Sequence, residues 1–413
     1  MNITRDFAPP FRLIAPFFLI GTLFYVAATI LLFTLKSNAG ISNMLTLGWV
    51  HLFLLGFVMM IIFGAMAQLV PVVIEVGHAA VDFFYIIWPL LALGTLMMVT
   101  GFIALPALLP YGGMLVLLSM VIFAIDLFAT LRQGERHTIV TRSMKASNIF
   151  LLVGIVSGFI MALAFGGVMS INPDIWLSAH VYAVFGGYVL LTIMGLSMIL
   201  LPMFGLSHGF NDTPMLWAYR LMVSGVTVVI IASLLTVPLL HFIGTLAVIA
   251  SIVSYLYQIY LIERKRARKE NDIWVKSLGV AFTSLALALL LCIIYLLGGG
   301  ERFLMSGGWF LMMGFVGFLI TSHLYKIIPF LVWFERYAPL VGKQSVPMLH
   351  EMVPLREATM QLYATTIGLF SVGIALLIHS DTLFYGGASV LVVGGIFLLA
   401  SVYTMMQYGK EVL

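Results

Sequence analysis

The feature that most constrains this chain is a succession of apolar runs, each long enough to cross a bilayer. A membrane-spanning helix needs roughly 20 mostly apolar residues. Runs of that kind fall near 14–35, 45–70, 84–104, 111–131, 148–170, 177–203, 216–236, 239–262, 276–297, 305–333, 363–379 and 383–405. They predict twelve spans, the seventh and eighth separated by little more than Pro238. Hydrophobic residues make up 62% of the 413 and charged residues 9%, whereas a soluble domain is about a quarter charged. That excludes a soluble enzyme, and the connectors are too short to hold a soluble domain. In lipid every backbone polar group must be satisfied within the fold, which leaves helices as the spanning element here. The expected fold is all-α: one polytopic membrane domain over 1–413, in contact with the lipid bilayer. The first run follows the short segment Met1 to Phe11 with no clear small-x-small cleavage site, so it is expected to be a span and not a removed signal.

Charge sets the orientation. Lys and Arg collect on the cytoplasmic side of membrane proteins. With both termini cytoplasmic, all of the 20 basic residues except Lys36 and Arg302 fall inside, Arg5 and Arg136 among them. The densest basic run, Glu263 to Asp272, reads as an inner loop near anionic headgroups, not as a nucleic-acid site. The expected location is a prokaryotic cytoplasmic membrane. Asp126 is the one acidic residue clearly inside an apolar run, and Lys326 near the inner end of span ten is placed to snorkel. So few intramembrane charges argue against ordinary ion-coupled transport. The single cysteine, Cys292, excludes an internal disulfide and a cysteine-based metal cluster.

Spans two, six and ten look alike. Trp49–Pro71, Ser178–Pro202 and Gly308–Pro329 each begin with an outer aromatic residue or His, pass a Gly, and close on a Pro at the inner end. His51 to Pro71 and Trp309 to Pro329 are both twenty residues apart, and His180 to Pro202 is twenty-two. The pattern predicts three four-helix units, about 1–135, 136–272 and 273–413, related by pseudo-threefold symmetry. Gly56, Gly64, Gly186, Gly187, Gly195, Gly314 and Gly317 remove side-chain bulk. That permits either close helix packing or the approach of a flat ligand such as a porphyrin. The three prolines are expected to end or kink their helices.

This arrangement resembles the catalytic subunit of haem-copper oxidases and the related nitric oxide reductases. The stretch Leu324 to Tyr337, LYKIIPFLVWFERY, is also similar to segments of small divergent oxidase-like membrane proteins. The resemblance implies twelve helices in three arcs of four, and histidine ligands toward the outer side on helices two, six, seven and ten. The family's low-spin haem ligand falls on His51, and Gly56 and Gly186 fall beside the cofactor. Its helix-six copper ligand falls on His180, with His241 the nearest candidate for a further one. Haem b, copper or both are the implied cofactors, with an electron donor or another respiratory membrane protein as partner. The sequence departs from the family on helix ten, where the ligand pair falls near Gly307 and Trp309. It also lacks the adjacent copper ligands after helix six, and the family tyrosine falls on Val184. Full dioxygen- or nitric-oxide-reducing chemistry is therefore not expected.

The nine histidines divide by side. His51, His180, His241 and His379 are expected outside. His78, His137, His208 and His350 are expected inside and solvated, and His323 in the inner half of span ten. Imidazole suits haem iron and copper, but a buried imidazole bonded to a backbone carbonyl satisfies the same sequence. The 25 methionines are read as gap-filling side chains, although thioethers also bind copper(I). No phosphate loop, HExxH helix or GxSxG elbow is present. The segment from Pro339 to Arg356 is expected to be an interfacial connector. Two functions remain in contention. One is a haem- or copper-binding redox or small-gas-handling protein. The other is a cofactor-free transporter, or an assembly or structural subunit, on the same scaffold.

Overall fold

In the computed structural model, residues 9–134 and 138–410 are described. Arg5, Arg136 and His137 lie outside the described residues. The described chain is all-α, with twelve helices long and apolar enough to span a membrane. They are α1 (Phe11–Thr34), α2 (Met44–Ile74), α3 (Val81–Ile103), α4 (Pro106–Gln133), α5 (Ile139–Phe165) and α6 (Pro173–Gly205), then α7 (Thr213–Leu234), α8 (Pro238–Arg264), α9 (Ile273–Leu296), α10 (Glu301–Arg336), α11 (Leu355–Ile378) and α12 (Asp381–Gln407). Each expected span is one of these helices.

Their starts follow local chemistry. Asn43, Thr138, Asn172, Asp272 and Ser380 accept hydrogen bonds from the first free backbone N–H groups, which an N-terminal turn cannot satisfy by itself. Pro173, Pro214 and Pro238 occupy first-turn positions, where the missing N–H is not needed.

The chain forms two compact units. One runs from Leu69 to Glu270 and holds the end of α2 and all of α3 to α8. The other joins Pro9–Gln68 to the segment from Asn271 onward and holds α1, most of α2, and α9 to α12. Within each unit, consecutive helices pack as antiparallel hairpins, α7 on α8 and α11 on α12 most extensively.

The same contact recurs on α2, α6 and α10. A Cβ on Gly56 would sit 2.6 Å from Cγ of Phe24 on α1. One on Gly187 would sit 2.4 Å from Cγ of Phe150 on α5, and one on Gly314 would sit 2.5 Å from Cβ of Ser284 on α9. Eight residues further, Gly64 meets Phe17 and Gly195 meets Ser143, each seven residues before the first contact on its partner helix. Lipid tails give helices no hydrophobic reason to associate, so close approach through small residues supplies the packing energy.

These glycines share one spacing along the three helices. Pro71, Pro202 and Pro329 each follow Gly56, Gly187 and Gly314 by fifteen residues. A π-helical stretch surrounds each glycine, at Leu52–Met59, Tyr182–Leu190 and Phe310–Gly317. In this register His51 aligns with Tyr182 and Trp309, while His180 aligns with Trp49 and Gly307. His51 and His180 are therefore not equivalent, and the two-residue excess in the spacing from His180 to Pro202 has this cause. The prolines lie inside their helices. α2 and α6 stop soon after, each followed by a left-handed residue, Glu75 (φ 58°) and Leu206 (φ 54°), nineteen residues past the glycine. α10 instead continues past Pro329 to Arg336.

A second contact recurs on the hairpins. Gly94 and Gly112 bring α3 against α4, Gly225 and Gly244 bring α7 against α8, and Gly368 and Gly387 bring α11 against α12, with backbone atoms in reach of each added Cβ. Seven residues past Gly112 and Gly244, Ser119 and Ser251 donate to Ile87 O at 2.9 Å and Ala218 O at 2.6 Å.

The notches give a direct expectation. Gly187→Ala should lower stability by about 1–3 kcal/mol, the usual cost of overpacking. Gly279→Ala, which meets nothing within 4 Å, should leave it unchanged. Thermal unfolding of the purified variants in one detergent measures the difference.

Candidate functional site

The first halves of α2, α6 and α10 and the start of α8 hold the residues expected to bind a cofactor. On α2, Trp49 donates its indole N–H to Ala28 O on α1 at 3.0 Å. Its ring stacks on Phe53 with centroids 5.5 Å apart and lies 5.4 Å from Trp309 on α10. Trp309 donates to Leu369 O on α11 at 2.9 Å. His51 follows Trp49 by two residues. Its Nδ1 lies 2.8 Å from Leu47 O, one turn earlier on its own helix. A carbonyl only accepts, so this geometry makes Nδ1 the protonated nitrogen.

On α6, His180 Nδ1 lies 2.8 Å from Gly154 O on α5 and is protonated by the same argument. Gly154 follows Phe150 by four residues, as Ala28 follows Phe24. His180 thus makes the bond that Trp49 makes in the equivalent place: a ring N–H given to the preceding helix. The imidazole lies against Gly158, whose added Cβ would be 2.6 Å from the ring Cε1. At the third such position Gly307 has no side chain to donate, and its added Cβ would sit 3.4 Å from Ala288 O, four residues past Ser284.

His241, at the outer start of α8, is joined to α6 through Nε2 and Ser178 Oγ at 2.7 Å. Tyr182 supports the same junction, with its hydroxyl 2.9 Å from Thr245 Oγ1 and its ring edge-on to His241 at 5.7 Å. His379 has Nδ1 3.4 Å from Ser37 O. On α10, buried His323 has Nδ1 2.7 Å from Leu319 O.

A porphyrin needs a flat slot beside its ligand, and a copper centre of the oxidase kind needs three converging imidazoles. The room beside Gly56 is taken by the Phe24 ring and that beside Gly187 by the Phe150 ring. Gly186, with Val226 Cγ2 3.1 Å from its added Cβ, is likewise packed. Among the described residues no three His, Cys, Asp or Glu side chains form a group able to hold a metal. The glycine notches expected to seat a flat ligand are thus filled by helix packing, and no three-histidine copper group is present among the described residues.

The start of α3 and the second half of α4 hold a cluster that the sequence did not reveal. His78 is not a solvated loop residue: its side chain is 2% exposed and Nδ1 is 2.7 Å from Asp126 Oδ2. The other carboxylate oxygen accepts the Ala80 N–H at 2.9 Å, and Thr130 Oγ1 accepts the Ala79 N–H at 3.0 Å. Asp126 comes seven residues after Ser119, and Gln258 seven after Ser251. Gln258 accepts from Met215 N–H and donates to Asn211 O, both at 3.1 Å. Each side chain therefore ties down the backbone at the start of the preceding helix, α3 for Asp126 and α7 for Gln258. The only sequence signal for this was Asp126 itself, an acid in an apolar run. His208 and His350 are exposed, as expected.

Lys326 also has a partner. Its Nζ is 2.6 Å from Asp272 Oδ2, while Oδ1 of the same carboxylate caps α9 through Val275 N–H at 3.1 Å. In the basic run, Arg266 pairs with Glu263 and Arg268 with Glu270. No family model matches the chain, and no curated protein matches it in sequence.

Deleting one partner of a buried hydrogen bond costs about 1–3 kcal/mol. Asp126→Ala should show a loss of that order in thermal unfolding. The double variant His78→Leu/Asp126→Leu should lose clearly less, because neither side chain of the hydrogen-bonded pair is left behind alone.

Proposed function

We propose that this integral membrane protein keeps an oxidase-like scaffold but works without a resident haem or copper. Its task on this reading is to bind or pass a small uncharged molecule, not to move electrons. One observation carries the reading: the outer imidazole of α6 donates to the preceding helix in the place where α2 uses a tryptophan. The bond uses Nδ1 alone, and the same place on α2 fills it with an indole, which cannot ligate a metal, so the repeated feature of this position is the hydrogen bond to the preceding helix. The filled glycine notches support the same view. The paired states of Asp126 and Lys326 support an uncharged cargo, since neither is left to bind or carry an ion.

The larger arrangement belongs to the same proposal. Three four-helix arcs around a pseudo-threefold axis, with both termini cytoplasmic and a prokaryotic cytoplasmic membrane as the location, are supported by the thrice-repeated glycine, π-helix and proline register and by the distribution of Lys and Arg.

Optical spectra of the oxidised and dithionite-reduced protein, with metal analysis of the same sample, test the reading. Expression is done with haem precursor and copper supplied. The expected result is less than a tenth of an equivalent of either. A stoichiometric haem signal lost in His51→Ala overturns the proposal in favour of a redox protein. Copper lost in His180→Ala overturns it as well.

A further inference from the structure

Threonines buried in membrane helices usually close on their own backbone, because lipid offers no other acceptor. Thr22, Thr95, Thr130 and Thr365 do so here, donating to Phe18 O, Leu91 O, Asp126 O and Gln361 O at 2.6–2.7 Å. Thr192 on α6 does not. Its side chain is buried, with the residue 2% exposed, and its Oγ1 has no hydrogen-bond partner. One turn earlier, Tyr188 is 0% exposed and its hydroxyl also has no partner.

Both lie at mid-length of α6, fifteen residues after Pro173 and thirteen before Gly205. Residues four apart share a helix face. The π-helical stretch ends between them, and the Tyr188 carbonyl accepts the N–H of Leu191 at that junction. Above and below this level the hydroxyls of α6 are matched to α8: Ser178 to His241, Tyr182 to Thr245, and Ser197 to Tyr255 at 2.8 Å. The two unmatched hydroxyls are therefore confined to the middle of the span. Burying a hydroxyl without a partner is costly, and native structures rarely leave two such groups on one turn.

We propose that Tyr188 and Thr192 form a polar site in the middle of α6 that binds a small uncharged hydrogen-bonding molecule, water being the smallest. Two hydroxyls can each donate and accept, so the site suits a ligand with both functions and no charge, such as water, urea or glycerol. Such a ligand is the cargo class of the function proposed above, and the inference rests on that reading for its purpose but not for its occupancy.

The test labels the purified protein with hydroxyl radicals generated from bound and bulk water, read by mass spectrometry. Met348, 65% exposed in the connector between α10 and α11, is the water-accessible control, and Tyr255, buried and bonded to Ser197, is the dry control. Met348 should be modified readily, and Tyr188 at least tenfold faster than Tyr255. In parallel, Tyr188→Phe and Thr192→Val should each lower the unfolding temperature, because each removes a satisfied hydroxyl. Labelling of Tyr188 no faster than Tyr255, with a rise in unfolding temperature in both variants, overturns the site. Liposomes containing the protein separate this outcome from the wider reading. A labelled Tyr188 without faster shrinkage in glycerol or urea gradients leaves the site standing and sinks the carrier role. Faster shrinkage that Tyr188→Phe/Thr192→Val does not slow sinks the site alone.

Discussion

Close approach of helices through glycine is the interaction on which the rest of this structure depends. In a bilayer there is no water to drive apolar faces together, so dispersion contacts between closely fitted helices must hold the bundle. Gly56, Gly187 and Gly314 each receive a side chain from the preceding helix, and paired glycines join the hairpins α3–α4, α7–α8 and α11–α12. A Cβ at nearly every one of these positions would meet a neighbour at under 3.0 Å. The contacts therefore fix which face of each helix points where, and the polar groups are placed as a consequence.

The polar groups then serve the packing. Trp49 and His180 hand a ring N–H to a carbonyl one turn beyond the glycine contact. Asp126 and Gln258 hold the starts of α3 and α7. An indole and an imidazole, or a carboxylate and an amide, make equivalent hydrogen bonds at matched positions. Buried charges follow the rule too: Asp126 is paired with His78, and Arg336 at the end of α10 donates to Met406 O and Tyr408 O at the end of α12, capping carbonyls that α12 cannot satisfy itself.

Much of the fold was legible in the sequence. Apolar runs located all twelve helices, because length and hydropathy are sufficient where lipid forbids irregular backbone. The likeness of spans two, six and ten was visible, but its register was not. Matching on His51 and His180 misaligned the repeat by two residues, since histidine draws the eye and Gly187 sits next to Gly186. The π-helical stretches left no signature in composition. His78 was missed because its burial depends on a loop folding back onto α4, a tertiary fact. The unmatched hydroxyls of Tyr188 and Thr192 were equally invisible, since a missing hydrogen bond has no sequence signal.

The central claim is that the membrane histidines are structural donors to backbone carbonyls. Selective nitrogen-15 labelling of histidine, with solid-state NMR of the protein in lipid bilayers, tests it most directly, single His→Gln variants assigning the signals. The account expects His51, His180 and His323 to carry a proton on Nδ1, with shifts unchanged when haem precursor and copper are supplied during expression. An unprotonated Nδ1 at His180, or shifts displaced by a bound metal, would contradict it.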